Sequence, residues 1–256
     1  LYFFQNRSGV TKTSNNNLSS LRLLDHEEYF SLMRDYRDPH TEDMEFLQDV
    51  HSRSFNQWQF ELSQNFNVCV YGWGSKRKLL TSFAEHVYKS LTDHESNKIV
   101  IVNGYVHNTS IRDILNTLAG ALLGHPPKLG SQVIEMLEVD KAKHITMIVH
   151  SIDGSPLRRA TAQKLLARLA SHSQINLVVS ADDPSFPLLW DSSLLSTYNF
   201  LFHDCTTFQP YTVEVDVVNE IHELLGRSGR RIGGKEGVTF VLKSLNQNSR
   251  KLFQLL

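Results

Sequence analysis

The sequence predicts an α/β protein, a parallel sheet flanked by helices and preceded by a helical arm. Three observations predict it. Five short apolar runs (67–71, 98–103, 144–150, 175–180 and 198–205) alternate with segments of helical periodicity. Apolar strands spaced in this way by helices form right-handed βαβ units on one parallel sheet. The first run ends in a glycine turn that opens a helix, a junction where backbone amides can meet an anion. Finally, the chain has 256 residues, 41% hydrophobic and 21% charged, enough for one large globular α/β domain and a small appendage.

Taken in order, residues 6–20 are rich in Ser, Asn and Thr and read as an extended lead-in. Leu24 to Arg34 is a first helix, closed by Asp38-Pro39. A longer helix starts near Thr41, where Thr-Glu-Asp-Met-Glu supplies an N-cap and an acidic first turn. Its apolar stripe is Phe46, Leu47, Val50, Phe55, Trp58 and Leu62. Asn67 to Tyr71 is then a short continuous apolar run, the pattern of a strand buried on both faces. Lys78 to Leu91 is a helix with Leu79, Leu80, Phe83 and Val87 on one side. Lys98 to Asn103 is the second strand, followed by the helix Ser110 to Leu123. His144 to His150 is the third, and the helix Ala160 to Ala170 leads to the fourth, Ile175 to Ser180. Tyr198 to Cys205 is the fifth. Beyond Pro210 the composition changes. Val215 to Leu225 and Val238 to Leu245 are helical, separated by a basic, glycine-rich loop at 226–237, and 246–256 begins another amphipathic helix. The expected organisation is a lead-in and helical arm (1–66), an α/β domain (67–210), a small helical, lid-like segment (211–245) and the start of a further domain (246–256).

Several function classes find no support. A net charge of −1 gives no global attraction to nucleic acid, so such binding has to come from local patches. No apolar run approaches the length that spans a membrane. The start, Leu1-Tyr2-Phe3-Phe4, lacks the regions of a signal peptide and reads as a cut from something longer. Cys69 and Cys205 sit in apolar, strand-like runs and read as small buried hydrophobes of a reducing compartment. The twelve histidines are scattered, without His-Glu-x-x-His or Cys-x-x-Cys, so a metal site is not expected. No Gly-x-Ser-x-Gly elbow marks a hydrolase.

The turn Gly72-Trp73-Gly74-Ser75-Lys76-Arg77 has the position of a phosphate loop: strand, glycines, lysine, helix. Its contents differ. Three residues separate Gly72 from Lys76 where the motif has five, and Arg77 stands where a Mg²⁺-binding hydroxyl belongs. Trp73 adds a ring where a phosphate cradle wants none. An active P-loop ATPase also needs carboxylates to hold Mg²⁺ and polarise water. Here the third strand ends in His150-Ser151, and the first carboxylate is Asp153, which with Gly154 can equally form a turn. Asp182-Asp183-Pro184, after the fourth strand, reads as a turn start. The contributions to hydrolysis are missing together. The turn itself reads either as a degenerate P-loop, with vestigial Gly72, Gly74 and Lys76, or as a plain strand-to-helix turn. In the loop at 226–237, Arg227, Arg230, Arg231 and Lys235 are candidates for contact with DNA phosphates or an acidic partner. Lys76-Arg77-Lys78 reads either as a solvated basic face or, because cations at a helix start oppose its dipole, as a place where an anion compensates.

Tyr71-Gly72-Trp73-Gly74-Ser75-Lys76-Arg77 resembles the Tyr-Gly-x-Gly-Ser-Lys-Arg signature of the subunit 2 family of the origin recognition complex. Further similarities follow in order: Val102-Asn103-Gly104-Tyr105, His150-Ser151-Ile152-Asp153, Pro187 to Asp191, Thr206 to Tyr211, and Leu245 to Leu256. The resemblance runs from about residue 20 onward. It implies a P-loop NTPase-like, AAA+-like (RecA-type) sheet in a nuclear, multi-subunit initiator that encircles origin double-stranded DNA and supports loading of the replicative helicase. It also implies a subunit that neither binds nor hydrolyses ATP, with no cofactor, partnered with the other subunits and especially subunit 3. Residues before 67 would be an arm docking on neighbours, and 246–256 the first helix of a largely absent winged-helix domain. The segment matching a channel-facing insertion is Gly104 to Asn108, with Arg112 following; Tyr105 there either stacks on a partner or packs in the core. Lys76 and Arg77 are then contacts for an anion or partner, not catalytic residues. A divergent nucleotide-binding regulator and a stand-alone DNA-binding protein are the alternatives.

Overall fold

The computed structural model describes residues 24–123 and 143–224. The chain divides into two compact units, one of Arg37–Val215 and one combining Leu1–Tyr36 with Asp216–Leu256. In the described part of the latter, α1 (His26–Asp35) starts from a capping box in which Asp25 and Glu28 satisfy each other's backbone amides. Its other helix, α8 (Val217–Leu224), is preceded by Asp216, whose carboxylate accepts from Asn219 N at 3.1 Å and meets His26 Nε2 at 3.1 Å. The predicted helices at 238–245 and 246–256 lie outside the described residues.

The larger unit begins with α2 (Thr41–Ser52) and α3 (Phe55–Ser63). One continuous helix was expected here; the chain instead breaks at Arg53-Ser54. The break re-aims the apolar stripe, so Phe55, Trp58 and Leu62 are buried while Phe46 and Val50 stay exposed. Next come β1 (Asn67–Tyr71), α4 (Arg77–Ser90), β2 (Asn97–Asn103), α5 (Ile111–Leu123), β3 (His144–His150), α6 (Ala160–Ala170) and β4 (Ile175–Ser180). A short turn of 3₁₀ helix (Phe186–Leu189), α7 (Ser192–Tyr198) and β5 (Phe200–Asp204) follow. Tyr198 thus ends a helix and does not open the fifth strand. Asp191 caps α7 by accepting from Leu194 N, and Asn199 closes it in the left-handed conformation at φ 50°.

The five strands are all parallel, in the order β2-β3-β4-β1-β5. β1 is internal, and Val68, Cys69 and Val70 have no exposed surface, which explains its unbroken apolar run. One face of the sheet packs on α3 and α4 through Trp58, Leu79, Leu80 and Phe83. The other packs on α5, α6 and α7 through Ile114, Leu118, Leu166 and Tyr198. The buried Asn67 stitches these layers: its amide donates to Ala170 O and Tyr198 O at 3.1 and 2.7 Å and accepts from Leu177 N at 2.8 Å. Because β1 lies between β4 and β5, the chain leaves it in one direction and crosses over it later in the other. α/β sheets of this kind gather their binding loops beyond the carboxyl ends of the strands at that switch point.

Candidate functional site

Four connections converge there: 72–76 after β1, 151–159 after β3, 181–185 after β4 and 205–209 after β5. Gly72 and Gly74 take φ values of 113° and 93°, a region that side chains disfavour. What fills the space beside them is the chain after β5. A Cβ on Gly72 would sit 2.5 Å from Thr206 Oγ1, and one on Gly74 would sit 2.5 Å from Phe208 N. Backbone bonds zip the two segments together: Cys205 N to Tyr71 O (2.8 Å), Thr207 N to Trp73 O (2.8 Å) and Ser75 N to Gln209 O (2.9 Å). Thr207 Oγ1 adds a bond to Ser75 O at 2.8 Å. The glycines therefore permit close approach of 206–209.

Lys76 is turned inward and its side chain is fully buried. Its ammonium donates to Gly72 O at 2.7 Å and Gly74 O at 2.8 Å, and pairs with Asp182 Oδ1 at 2.9 Å. Two of its three protons are thus hydrogen-bonded to loop carbonyls, and the ion pair with Asp182 balances the charge. Asp182, expected only to start a turn, is the internal counter-ion, held also by the Ser151 hydroxyl. Ser75 donates its hydroxyl to Glu214. The lysine that would meet a nucleotide's phosphates is here paired with a carboxylate and bonded to its own loop. The switch point fixes this arrangement, since β4 is the neighbour of β1 and carries Asp182 to the lysine.

Further buried polar groups surround the lysine. Asp153 is buried, accepts from Asp182 N at 2.9 Å and from Asp183 N, and has its pKa raised by burial. It organises the 181–185 turn from within. Ser151 adopts φ 52° and donates its backbone N–H to Ser180 Oγ at 2.8 Å. Burial, with the Arg77 charge adding to it, pushes the His150 imidazole down to about 4, so it is neutral at physiological pH. Tyr211 is pushed up to about 12 by burial and by nearby Asp182. Cys69 and Cys205 are free, buried thiols. Among the described residues no cluster of His, Cys, Asp or Glu could hold a metal ion, and no helix is long and apolar enough to cross a membrane.

Of the residues singled out from sequence, Gly72, Gly74 and Lys76 meet in this closed turn. Arg77 leaves it to lie over the ring of Tyr105, 5.8 Å from the centroid. Tyr105 is half-buried, so it carries a cation and is not sealed in the core. Arg112 is exposed at the start of α5. Arg227, Arg230, Arg231 and Lys235 lie outside the described residues. Asp182, Glu214 and Tyr211 were not foreseen as members of the site; no local pattern marks them, because each reaches it through the tertiary fold.

Comparisons with known proteins place the chain in a family. Residues 43–205 match the family model of the origin recognition complex subunit 2 RecA-like domain. Origin recognition complex subunit 2 of Drosophila melanogaster is 32% identical over 265 residues, covering 100% of this chain and 41% of the relative. The Saccharomyces cerevisiae subunit 2 is 33% identical over 241 residues, covering 82% and 38%. A solved structure of Drosophila ORC bound to GC-rich DNA and Cdc6 contains a chain 30% identical, with a TM-score of 0.64, covering 91% of this chain and 76% of that one. The chain spans about two-fifths of the length of the animal and yeast relatives it matches. With its RecA-like parallel sheet, its ordered motifs and these matches, the chain belongs to the origin recognition complex subunit 2 family.

Proposed function

We propose that the chain is a non-catalytic, nuclear subunit of an origin recognition complex, helping the assembly bind and encircle origin DNA and support loading of the replicative helicase. Its closest working partner on this reading is subunit 3. The observation that carries the non-catalytic part is the inward turn of Lys76 onto Gly72 O, Gly74 O and Asp182. A phosphate would have to compete with a carboxylate already paired inside a buried loop, and no hydroxyl follows the lysine to hold Mg²⁺. The relation to DNA is supported by the family and by a relative seen in ORC bound to DNA. Arg77, Tyr105 and Arg112, with Arg227, Arg230, Arg231 and Lys235, are the candidates for DNA or partner contact on this reading.

Calorimetric titration of the chain with ATP and Mg²⁺ tests this reading. No saturable heat and no hydrolysis are expected, with Lys76→Ala indistinguishable in both. Binding that saturates in the parent and disappears in Lys76→Ala would overturn it, in favour of a nucleotide-binding regulator.

A further inference from the structure

Beside the closed loop lies a cleft of about 590 Å³ that shares Gly72 and Asp182 with the lysine network. Tyr71, Phe186, Trp190 and Phe202 line it, with Trp73 and Asp204 also contributing. The rings form a continuous wall: Phe186 stands 5.8 Å from Tyr71 and from Trp190, and 6.2 Å from Phe202, between centroids. Trp73 is 62% exposed and Phe202 45%; Leu188, on the turn that supplies Phe186, is 88% exposed. Such a patch of large apolar side chains on a folded surface is a mark of a protein interface.

The charge at the cleft is one-sided. Asp182, Asp183 and Asp204 all border it. Lys76 pairs with Asp182 and Arg158 with Asp183. Asp204 is exposed, accepts only from Thr206 N at 3.1 Å and Thr206 Oγ1 at 2.8 Å, and has no cationic partner among the described residues. A third carboxylate thus faces an aromatic wall without a counter-ion. Anionic ligands, nucleic acid included, are disfavoured here by sign.

We propose that the cleft receives an arginine-bearing segment of a partner protein, its guanidinium stacked on the aromatic wall and paired with Asp204. Arginine fits better than lysine because its planar, weakly hydrated head stacks on rings and meets a carboxylate through two parallel N–H donors. The exposed Trp73 and Leu188 then contact apolar side chains flanking the arginine. The inference rests on the multi-subunit reading only for who supplies the segment; the site itself is tested on this chain.

The test follows the tryptophan indole N–H resonances of the full chain during titration with N-acetyl-Leu-Arg-Leu-amide, and with the same peptide carrying citrulline in place of arginine. The chain has three tryptophans. Trp73 and Trp190 line the cleft, whereas Trp58 is buried on the opposite face of the sheet and reports folding. The arginine peptide is expected to shift Trp73 and Trp190 but not Trp58. Citrulline should bind roughly tenfold more weakly, because it keeps the shape and loses the charge-assisted pair. Asp204→Asn should bring arginine down to the citrulline level with the Trp58 resonance unmoved, and Trp73→Ala should weaken both peptides. Equal binding of the two peptides, no effect of Asp204→Asn, or no shift of Trp73 and Trp190 at millimolar peptide would each overturn the proposal. Nucleotide binding by the chain would overturn the proposed function and leave this result unaffected.

Discussion

Replacing Asp182 by alanine isolates the contact that closes the glycine turn. The Lys76 side chain is fully buried and that of Asp182 is 20% exposed, so the change strands an ammonium away from water with two carbonyls as its remaining partners. Removing one member of a buried pair typically costs 3–5 kcal/mol. The residual acceptors and the partial exposure of Asp182 place the expectation near the lower end, about 3 kcal/mol. For a unit of this size that corresponds to a fall in Tm of roughly 6–12 °C. Asp183→Ala is the internal control. Its partner Arg158 is 49% exposed, so that pair should contribute no more than about 1 kcal/mol even though the two aspartates are adjacent. Urea and thermal unfolding of both variants measure the difference. If Asp182→Ala is no less stable than Asp183→Ala, the buried pair does not hold the loop closed and the reasoning fails.

The two kinds of glycine should respond oppositely to alanine. Gly74→Ala places a Cβ 2.5 Å from Phe208 N at a φ of 93° and should cost about 3 kcal/mol or prevent folding, whereas Gly120→Ala, in α5 with nothing within 4 Å, should gain about 1 kcal/mol in the same unfolding assay. His150 should make stability depend on pH. Its folded pKa of about 4 lies below the unfolded value near 6.5, so below pH 6.5 the unfolded chain takes up a proton first. Stability contributed by the neutral imidazole is then lost progressively from pH 6.5 down to about 4, by about 3 kcal/mol in all. Asp153, whose pKa burial raises, acts in the opposite sense as pH falls, so the His150 share is read as the difference between the parent and His150→Gln. A His150→Gln profile parallel to the parent's from pH 7 to 4 would contradict this.

The order of strands and helices follows from sequence alone because buried parallel strands advertise themselves. Runs such as Val68-Cys69-Val70 and Met147-Ile148-Val149 lack polar alternation since both faces of the sheet are covered. The break at Arg53-Ser54 and the start of β5 at Phe200 escape the same reading. Helix ends depend on local caps such as Asn199, and Phe46 and Val50 extend an apolar period that packing does not use. That Arg77 follows Lys76 and that β3 ends in His150-Ser151 without adjacent carboxylates is a matter of residue identity, read from the sequence directly.

What the sequence could not decide was the use of the glycine turn. Gly72 and Gly74 were compatible with cradling an anion or with a bare turn, and Lys76 with reaching outward. The answer lies in residues distant along the chain: Asp182 arrives just after β4, and the 206–209 segment just after β5, because those two strands flank β1. Periodicity and composition encode which segments are strands and which face is apolar. Strand order is fixed by the packing of the assembled layers, so the partner of Lys76, the purpose of the glycines and the aromatic cleft beside them belong to the tertiary structure.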